Sequence, residues 1–240
     1  MRKKSVITPI CSGLAILAGS FSFMGTAEAF TLLSEDFEGA SNLFGTGTYN
    51  YSQNYTMPNL LSPGGGIKYM NGGAGVNGAV STNTFTATGS PLNLLTGGIT
   101  GAQIDSGLIS YNIYAQFSTY RLQNDNGTLS VQFLDAGSSP LGSALNIGGP
   151  AFVSALGSGN NGSYTDARNW AADSLAGVVP SGARFASVQI FEVKTAPGTA
   201  IDGYMDNVNF SINPVPEPGT IALFALGGGL AALASRRRRL

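Results

Sequence analysis

L-I-S-Y-N-I-Y-A-Q-F-S-T-Y-R, from Leu108 to Arg121, and T-L-S-V-Q-F-L-D, from Thr128 to Asp135, are the stretches from which the fold can be read. In the first, Ile109, Tyr111 and Ile113 alternate with polar neighbours, and Phe117 follows further along. In the second, Leu129, Val131 and Phe133 alternate cleanly. β-Branched and aromatic side chains at a period of two mark strands with one face in a core and one toward water. Asn126-Gly127 stands between the two runs and is a strong hairpin signal, because both residues tolerate the positive φ of a tight turn.

Further segments read the same way. Ala79 to Thr88 alternates around threonines. Arg184 to Lys194 carries Phe185, Val188, Ile190 and Val193, and Tyr204 to Ile212 puts Val208, Phe210 and Ile212 on one face. A short helical turn is expected near Asn169 to Leu175. The glycine-rich links Ser62 to Gly66, Asn71 to Gly78 and Gly157 to Gly162 read as loops. Gly64-Gly65-Gly66 and Asn71 to Gly75 are not phosphate loops, since no Lys-Ser/Thr follows and no helix signal begins there. Many short strands with turn-rich links and no internal repeat predict an all-β fold, a single β-sandwich domain.

Working outward, both ends of the 240-residue chain carry address signals rather than fold. Arg2, Lys3 and Lys4 precede the apolar stretch Ile7 to Phe23, and Ala27-Glu28-Ala29 offers small residues at the cleavage positions Ala27 and Ala29. This is the pattern of a secretory signal peptide over residues 1–29, with signal peptidase as the partner. The only cysteine, Cys11, lies inside that segment and not in a lipobox, so a chain starting at Phe30 has no thiol and no disulfide. At the other end, residues 214–240, Val215-Pro216-Glu217-Pro218 is followed by the uncharged stretch Gly219 to Ser235 and by Arg236, Arg237, Arg238 and Arg239. Seventeen helical residues would span about 25 Å, near the lower limit for a bilayer. The arginines should stay cytoplasmic and set the orientation. The prolines stop the helix and hold Pro216 to Pro218 extended, a strip that a protease can grip.

That order of parts resembles the PEP-CTERM sorting signal of Gram-negative bacteria, over Val215 to Leu240. The resemblance implies handling by an exosortase, a membrane cysteine protease-transpeptidase. It also implies an association with exopolysaccharide and biofilm, and a location at the cell surface or in the extracellular matrix after a transient stay in the inner membrane.

The body, residues 30–213, retains 5 basic and 11 acidic residues once both signals are set aside, a net charge of about −6. So acidic a surface does not suit nucleic acid. The chain has no histidine, which excludes Ser-His-Asp and Cys-His catalysis and zinc sites built on His or Cys. A carboxylate pair could still cleave a glycosidic bond, but Glu192 and Asp135 are not paired by any pattern and no sandwich-glucanase motif is present. The expectation is a protein without enzymatic activity.

A second resemblance concerns the body. Leu32 to Gly39 (L-L-S-E-D-F-E-G), Trp170 to Val193, and Tyr204 to Phe210 (Y-M-D-N-V-N-F) look like the opening, late and closing parts of galactose-binding-like and carbohydrate-binding jelly rolls. This implies that the first and last strands pair. It also implies a candidate structural calcium at Asp36, Glu38 and Asp206, with Asp202 a weaker candidate. Sugar sites use aromatic platforms with amide and carboxylate partners. Tyr49, Tyr51 and Tyr55 are the candidate ligand-binding residues, in a polar, loop-like stretch, and Tyr69, Tyr164 and Trp170 complete the inventory, Trp170 read as a core or rim anchor. Two roles stay open: an exported, non-enzymatic surface or matrix protein, and a calcium-stabilised carbohydrate-binding module. A glycan-acting hydrolase is the third and weakest.

Overall fold

The alternation in Leu108–Arg121 is realised as an 11-residue strand whose odd-numbered side chains turn inward. The computed structural model describes residues 29–39, 42–44, 68–161, 164–195 and 197–215. Their strands are β1 (Phe30–Glu35), β2 (Met70–Ala74), β3 (Ser81–Thr86), β4 (Leu92–Asn93), β5 (Ile109–Thr119), β6 (Asn126–Leu134), β7 (Leu145–Gly148), β8 (Ser158–Asn161), β9 (Tyr164–Arg168), β10 (Ala171–Val178), β11 (Phe185–Lys194) and β12 (Ala200–Pro214). Two short helices, α1 (Gly101–Asp105) and α2 (Gly149–Ala155), lie in the connections after β4 and β7. Thr100 and Gln103 form a reciprocal capping box at the start of α1.

One sheet has the order β1-β12-β5-β10, with β2 also on β12. The other runs β3-β11-β6-β7, with β4 also on β11, and β8 and β9 form a separate hairpin. Every pairing is antiparallel. Successive long strands cross between the sheets, so the chain wraps as a jelly-roll sandwich. The first and last strands meet as expected, with Phe30 opposite Ile212 and Glu35 opposite Val208.

The core lies between the sheets. Ile109, Ile113, Ala115 and Phe117 of β5 and Met205, Val208, Phe210 and Ile212 of β12 join Leu129, Val131, Val188 and Ile190 of the facing sheet in one buried cluster. Phe133 bridges the layers, with ring centroids 5.4 Å from Tyr111 and 6.2 Å from Phe210. Each of the larger side chains, Val, Leu, Ile, Phe and Met, contributes about 1.5–3 kcal/mol by leaving water, which makes this cluster the main source of stability.

Four expectations are corrected. Asn126-Gly127 is not a hairpin turn: it opens β6, where Asn126 faces Val193 and Gly127 faces Glu192. β5 and β6 lie in different sheets, and their connection crosses the sandwich. The expected helical turn at Asn169 to Leu175 is the start of β10, paired with β5 through Ala171 to Val178. The glycines of Asn71 to Ala74 lie in β2 rather than a loop, and Ser158 to Asn161 form β8. On β11 the inward face is Ala186, Val188, Ile190, Glu192 and Lys194, while Val193 turns outward.

β12 is bent by an extra residue. Its register with β5 shifts between Asp206 and Asn209, and Asn207 adopts φ 51°. Met205 faces the core before the shift; Val208, Phe210 and Ile212 face it afterward. A bulge changes which parity points inward, so apolar residues at odd and then even positions share one face.

The sandwich has two distinct ends. The starts of β1, β5 and β11 and the ends of β10 and β12 gather at one, as the pairs Phe30–Ile212, Ile109–Pro214 and Val178–Ser110 show. There the Arg184–Asp105 ion pair (2.8 Å) links the residue before β11 to α1, and the Val179 amide donating to the Ile109 carbonyl (2.8 Å) extends the β10–β5 pairing. The opposite end holds β2, the last residues of β5 and β11, and the first residues of β6 and β12.

Candidate functional site

A concave feature of the described residues lies at that opposite end, on the outer face of the sheet containing β12. Met70 and Met205 face each other across β2 and β12 and enter the core. Their neighbours Tyr69 and Tyr204 must then point the other way. Tyr69 packs on Tyr204 (centroids 5.0 Å apart) and edge-on to Trp170 (5.6 Å), with Tyr120 also against the group. Arg121 lies over the Tyr120 ring at 5.3 Å.

Tyr69, Asn71, Gly73, Ala74, Asp202 and Tyr204 line a hollow with about 680 Å³ of empty space, counted out to its open mouth. The two tyrosines are only 2% exposed and therefore wall the hollow rather than offer an open stacking platform. Burial first, and then the Asp202 charge, push the Tyr69 hydroxyl up to about 12. The same causes raise Tyr204 further, so both remain neutral hydrogen-bonding groups.

Asp202 is the charged group of the hollow. Its amide donates to Asp125 Oδ2 (3.1 Å), and its carbonyl accepts from the Tyr120 amide (3.1 Å) and the Thr119 hydroxyl (2.8 Å). This backbone clamp fixes where the carboxylate stands. Burial, and secondarily Asp125, raise its pKa to about 6.

Behind this wall, acidic groups enter the interior. Asp125 is fully buried and accepts from the Thr195 amide (2.6 Å) and hydroxyl (3.1 Å). Glu192 and Lys194 are buried on adjacent inward positions of β11. Burial, then the Asp125 charge, hold the Glu192 carboxyl well above the usual range, so it is a neutral acid. Among the described residues both Glu192 oxygens lack a hydrogen-bond partner, as do Trp170 Nε1 and Asn126 Oδ1. Glycines make the room: a Cβ on Gly203 would stand 2.2 Å from Glu192 Oε2, and one on Gly127 would stand 2.6 Å from Oε1.

The residues singled out in the sequence fall in different places. Tyr49, Tyr51 and Tyr55 lie outside the described residues, as do Ala27, Pro216, Glu217, Pro218 and Arg236 to Arg239. Of the sorting strip, Val215 is described, and its amide donates to the Leu108 carbonyl (2.6 Å). Asp36 Oδ1 accepts from the Glu38 amide (3.1 Å), and Glu38 Oε1 accepts from the Lys68 amide (2.8 Å). Asp206 is fully buried and accepts from the Asn207 amide (2.7 Å). The opening and closing elements do meet. Among the described residues, however, no group of three or more Asp and Glu side chains could hold a metal ion. A calcium at Asp36, Glu38 and Asp206 would need backbone carbonyls for most of its oxygens. Glu35, not singled out, does the local work: its two oxygens accept from the Phe37 (2.8 Å) and Leu43 (2.5 Å) amides and hold the segment after β1.

Sequence reasoning listed Tyr69 and Trp170 but did not join them to Tyr204, Asn71 and Asp202. It also missed the inward acids. The available signal was in β11, where the parity of Val188 and Ile190 continues into Glu192 and Lys194.

Residues 214–239 match the model of the PEP-CTERM protein-sorting motif. The chain thus carries the mark of a protein that is exported and held transiently in the membrane of a Gram-negative bacterium before exosortase processing. Among the described residues no helix is long and apolar enough to cross a membrane; the apolar stretch Gly219 to Ser235 lies outside them. No curated protein matches the chain in sequence.

Three of the solved structures that are similar in fold illustrate the likeness. One is the enzymatically active domain of the bacteriophage CBA120 tailspike protein 4 (16% identity over 69% of this chain and 18% of that one, TM-score 0.35). Another is the CBM22-1–GH10 part of xylanase 10B of Clostridium thermocellum, complexed with xylohexaose (14%, 75% and 28%, TM-score 0.39). The third is a carbohydrate-binding module from the lichenase 5A of Cellvibrio mixtus, in complex with cellotriose (14%, 78% and 100%, TM-score 0.35). The chain spans less than a third of the first two.

Proposed function

We propose that this is a non-catalytic cell-surface or matrix protein, delivered by its PEP-CTERM tail, whose body contacts a glycan in the hollow beside Asp202. The observation that carries the reading is the meeting of neutral tyrosines, the Asn71 amide and the backbone-clamped Asp202 carboxylate in one solvent-open hollow. Sugars are held by sets of this kind, in which carboxylate and amide groups accept from and donate to hydroxyls; here the buried tyrosines fix the wall behind those groups. Sorting by an exosortase supports a place in the exopolysaccharide layer, where glycans are the available ligands. Structural or adhesive service in that layer needs binding and retention, not bond cleavage.

The test is a glycan array on the processed body, with the Asp202→Asn variant beside it and reducing-end release assayed on every ligand found. Hydrogen bonds to a charged group contribute about 1.5–3 kcal/mol, so Asp202→Asn should weaken binding roughly tenfold or more. Binding should also fall as pH drops through about 6, where Asp202 takes up its proton. An unaltered affinity in the variant would remove the hollow from the reading, and release of sugar ends would replace it with catalysis.

A further inference from the structure

The strand order brings the start of β1 and the end of β12 to one end of the body. β12 ends at Pro214, opposite Ile109, and the Val215 amide still bonds to the Leu108 carbonyl. The sorting-motif match starts at that same Pro214, and Pro216 follows one residue after Val215. Only the four residues Val215 to Pro218 therefore lie between the last strand residue and the uncharged stretch that begins at Gly219. The start of β1, Phe30, pairs with Ile212 at the same end. The hollow beside Asp202 lies toward the other end of β12, which begins at Ala200. Thirteen residues of strand between Asp202 and Val215 measure roughly 40 Å at about 3.3 Å per residue.

We infer that, until its tail is cut, the sandwich is seated on the lipid surface by the end that bears Val178, Leu95 and the Arg184–Asp105 pair, with the hollow held outward at the opposite end. A long flexible linker would let a body tumble over its anchor; four residues, two of them proline, do not. The seating has two consequences. A ligand can reach the hollow before processing. The processing enzyme must in turn work in the narrow space between the end of β12 and the bilayer. Val178 and Leu95 are exposed at the seated end, and Val76 and Val80 at the outward one.

Absence of cysteine from Phe30 onward makes this directly measurable. In a strain lacking the exosortase, full-length chains carrying Val178→Cys or Val76→Cys are reacted in spheroplasts with a bulky, membrane-impermeant maleimide. The same two variants, released by processing, serve as the reference. In the anchored form, Val178→Cys should react several-fold more slowly relative to Val76→Cys than in the released form. Equal ratios in the two forms would overturn the seating. A second arm inserts a flexible Gly-Ser spacer between Val215 and Pro216. Reactivity at Val178→Cys should recover while the chain stays membrane-bound, and failure to recover would show that something other than the short link shields this end. Neither arm depends on a glycan, so the seating and the hollow stand or fall separately.

Discussion

Glu192 is the residue whose chemistry departs furthest from its surroundings. A fully buried carboxyl with no hydrogen-bond partner among the described residues, and with the Asp125 charge nearby, stays protonated, because burial disfavours its charged form. Its folded-state pKa lies above the unfolded value, so between those two values the native state binds the extra proton. Stability therefore falls as pH rises through that window and is greatest on its acid side. Asp202, raised to about 6, acts in the same direction between its usual value and about 6. We predict that Glu192→Gln, which removes the titration and keeps the shape, flattens the loss of thermal stability on going from pH 5 to pH 8; melting curves at both pH values check it. Gly203 is the companion case. Gly203→Ala would drive a methyl to 2.2 Å from Glu192 Oε2 and 2.7 Å from the Asn126 carbonyl carbon, whereas Gly157 faces open space. The first should cost about 1–3 kcal/mol in urea unfolding and Gly157→Ala little, as overpacking a tight site predicts.

At the scale of the element, β12 decides the architecture. It is central in its sheet, pairs with β1, β2 and β5, and carries shifts in register that let one strand serve two partners end to end on the same edge. Asn207 supports the main bulge with a left-handed backbone and an amide donating to Gln116 Oε1 at 2.7 Å. A β-branched residue pays both losses, so Asn207→Val should destabilise the body by about 2 kcal/mol, while Asn207→Gly should lose less because the backbone term is spared. Denaturant midpoints of the two variants separate the contributions. Among the strands, β3, β5, β6, β11 and β12 were legible in the sequence because a core on one side imposes a period of two. β2 and β10 were not. β2 is glycine-rich because a Cβ at Gly72 would meet the Ile201 side chain at 2.3 Å, and β10 (A-A-D-S-L-A-G-V) mixes small apolar and polar residues on both of its faces, too weak an amphipathic signal.

For the whole molecule, delivery depends on the order of parts in the tail. Replacing Arg236 to Arg239 by glutamate reverses the charge of the tail's basic end, and Pro216→Ala with Glu217→Ala removes two residues of the Pro-Glu-Pro motif. The first should impair processing and the second should block sorting while leaving export intact. Intact mass and cell fractionation, with and without the exosortase, read both: unchanged release in the first would count against the topology, and sorting that persists in the second would overturn the motif reading. The same fractions would show whether the mature chain begins at Phe30.

What the sequence determined by itself is what is read along a line. The sorting signal is recognised as a run of extended, apolar and basic segments in that order, so no folding is needed to see it. The sandwich class follows from local alternation in Leu108–Arg121 and Thr128–Asp135, and the lack of histidine excludes whole classes of chemistry outright. Only the tertiary structure decided where the acids go. Asp125 and Asp202 are 77 positions apart and touch because β6 and β12 start at the same end of the sandwich. The inward turn of Glu192 follows from the register of β11 against β6. Asn126-Gly127, a turn by local preference, became strand because Gly127 leaves the space that Glu192 fills. Side-chain period sets which residues can face a core; register and bulges, fixed by pairing across the whole chain, set which of them meet.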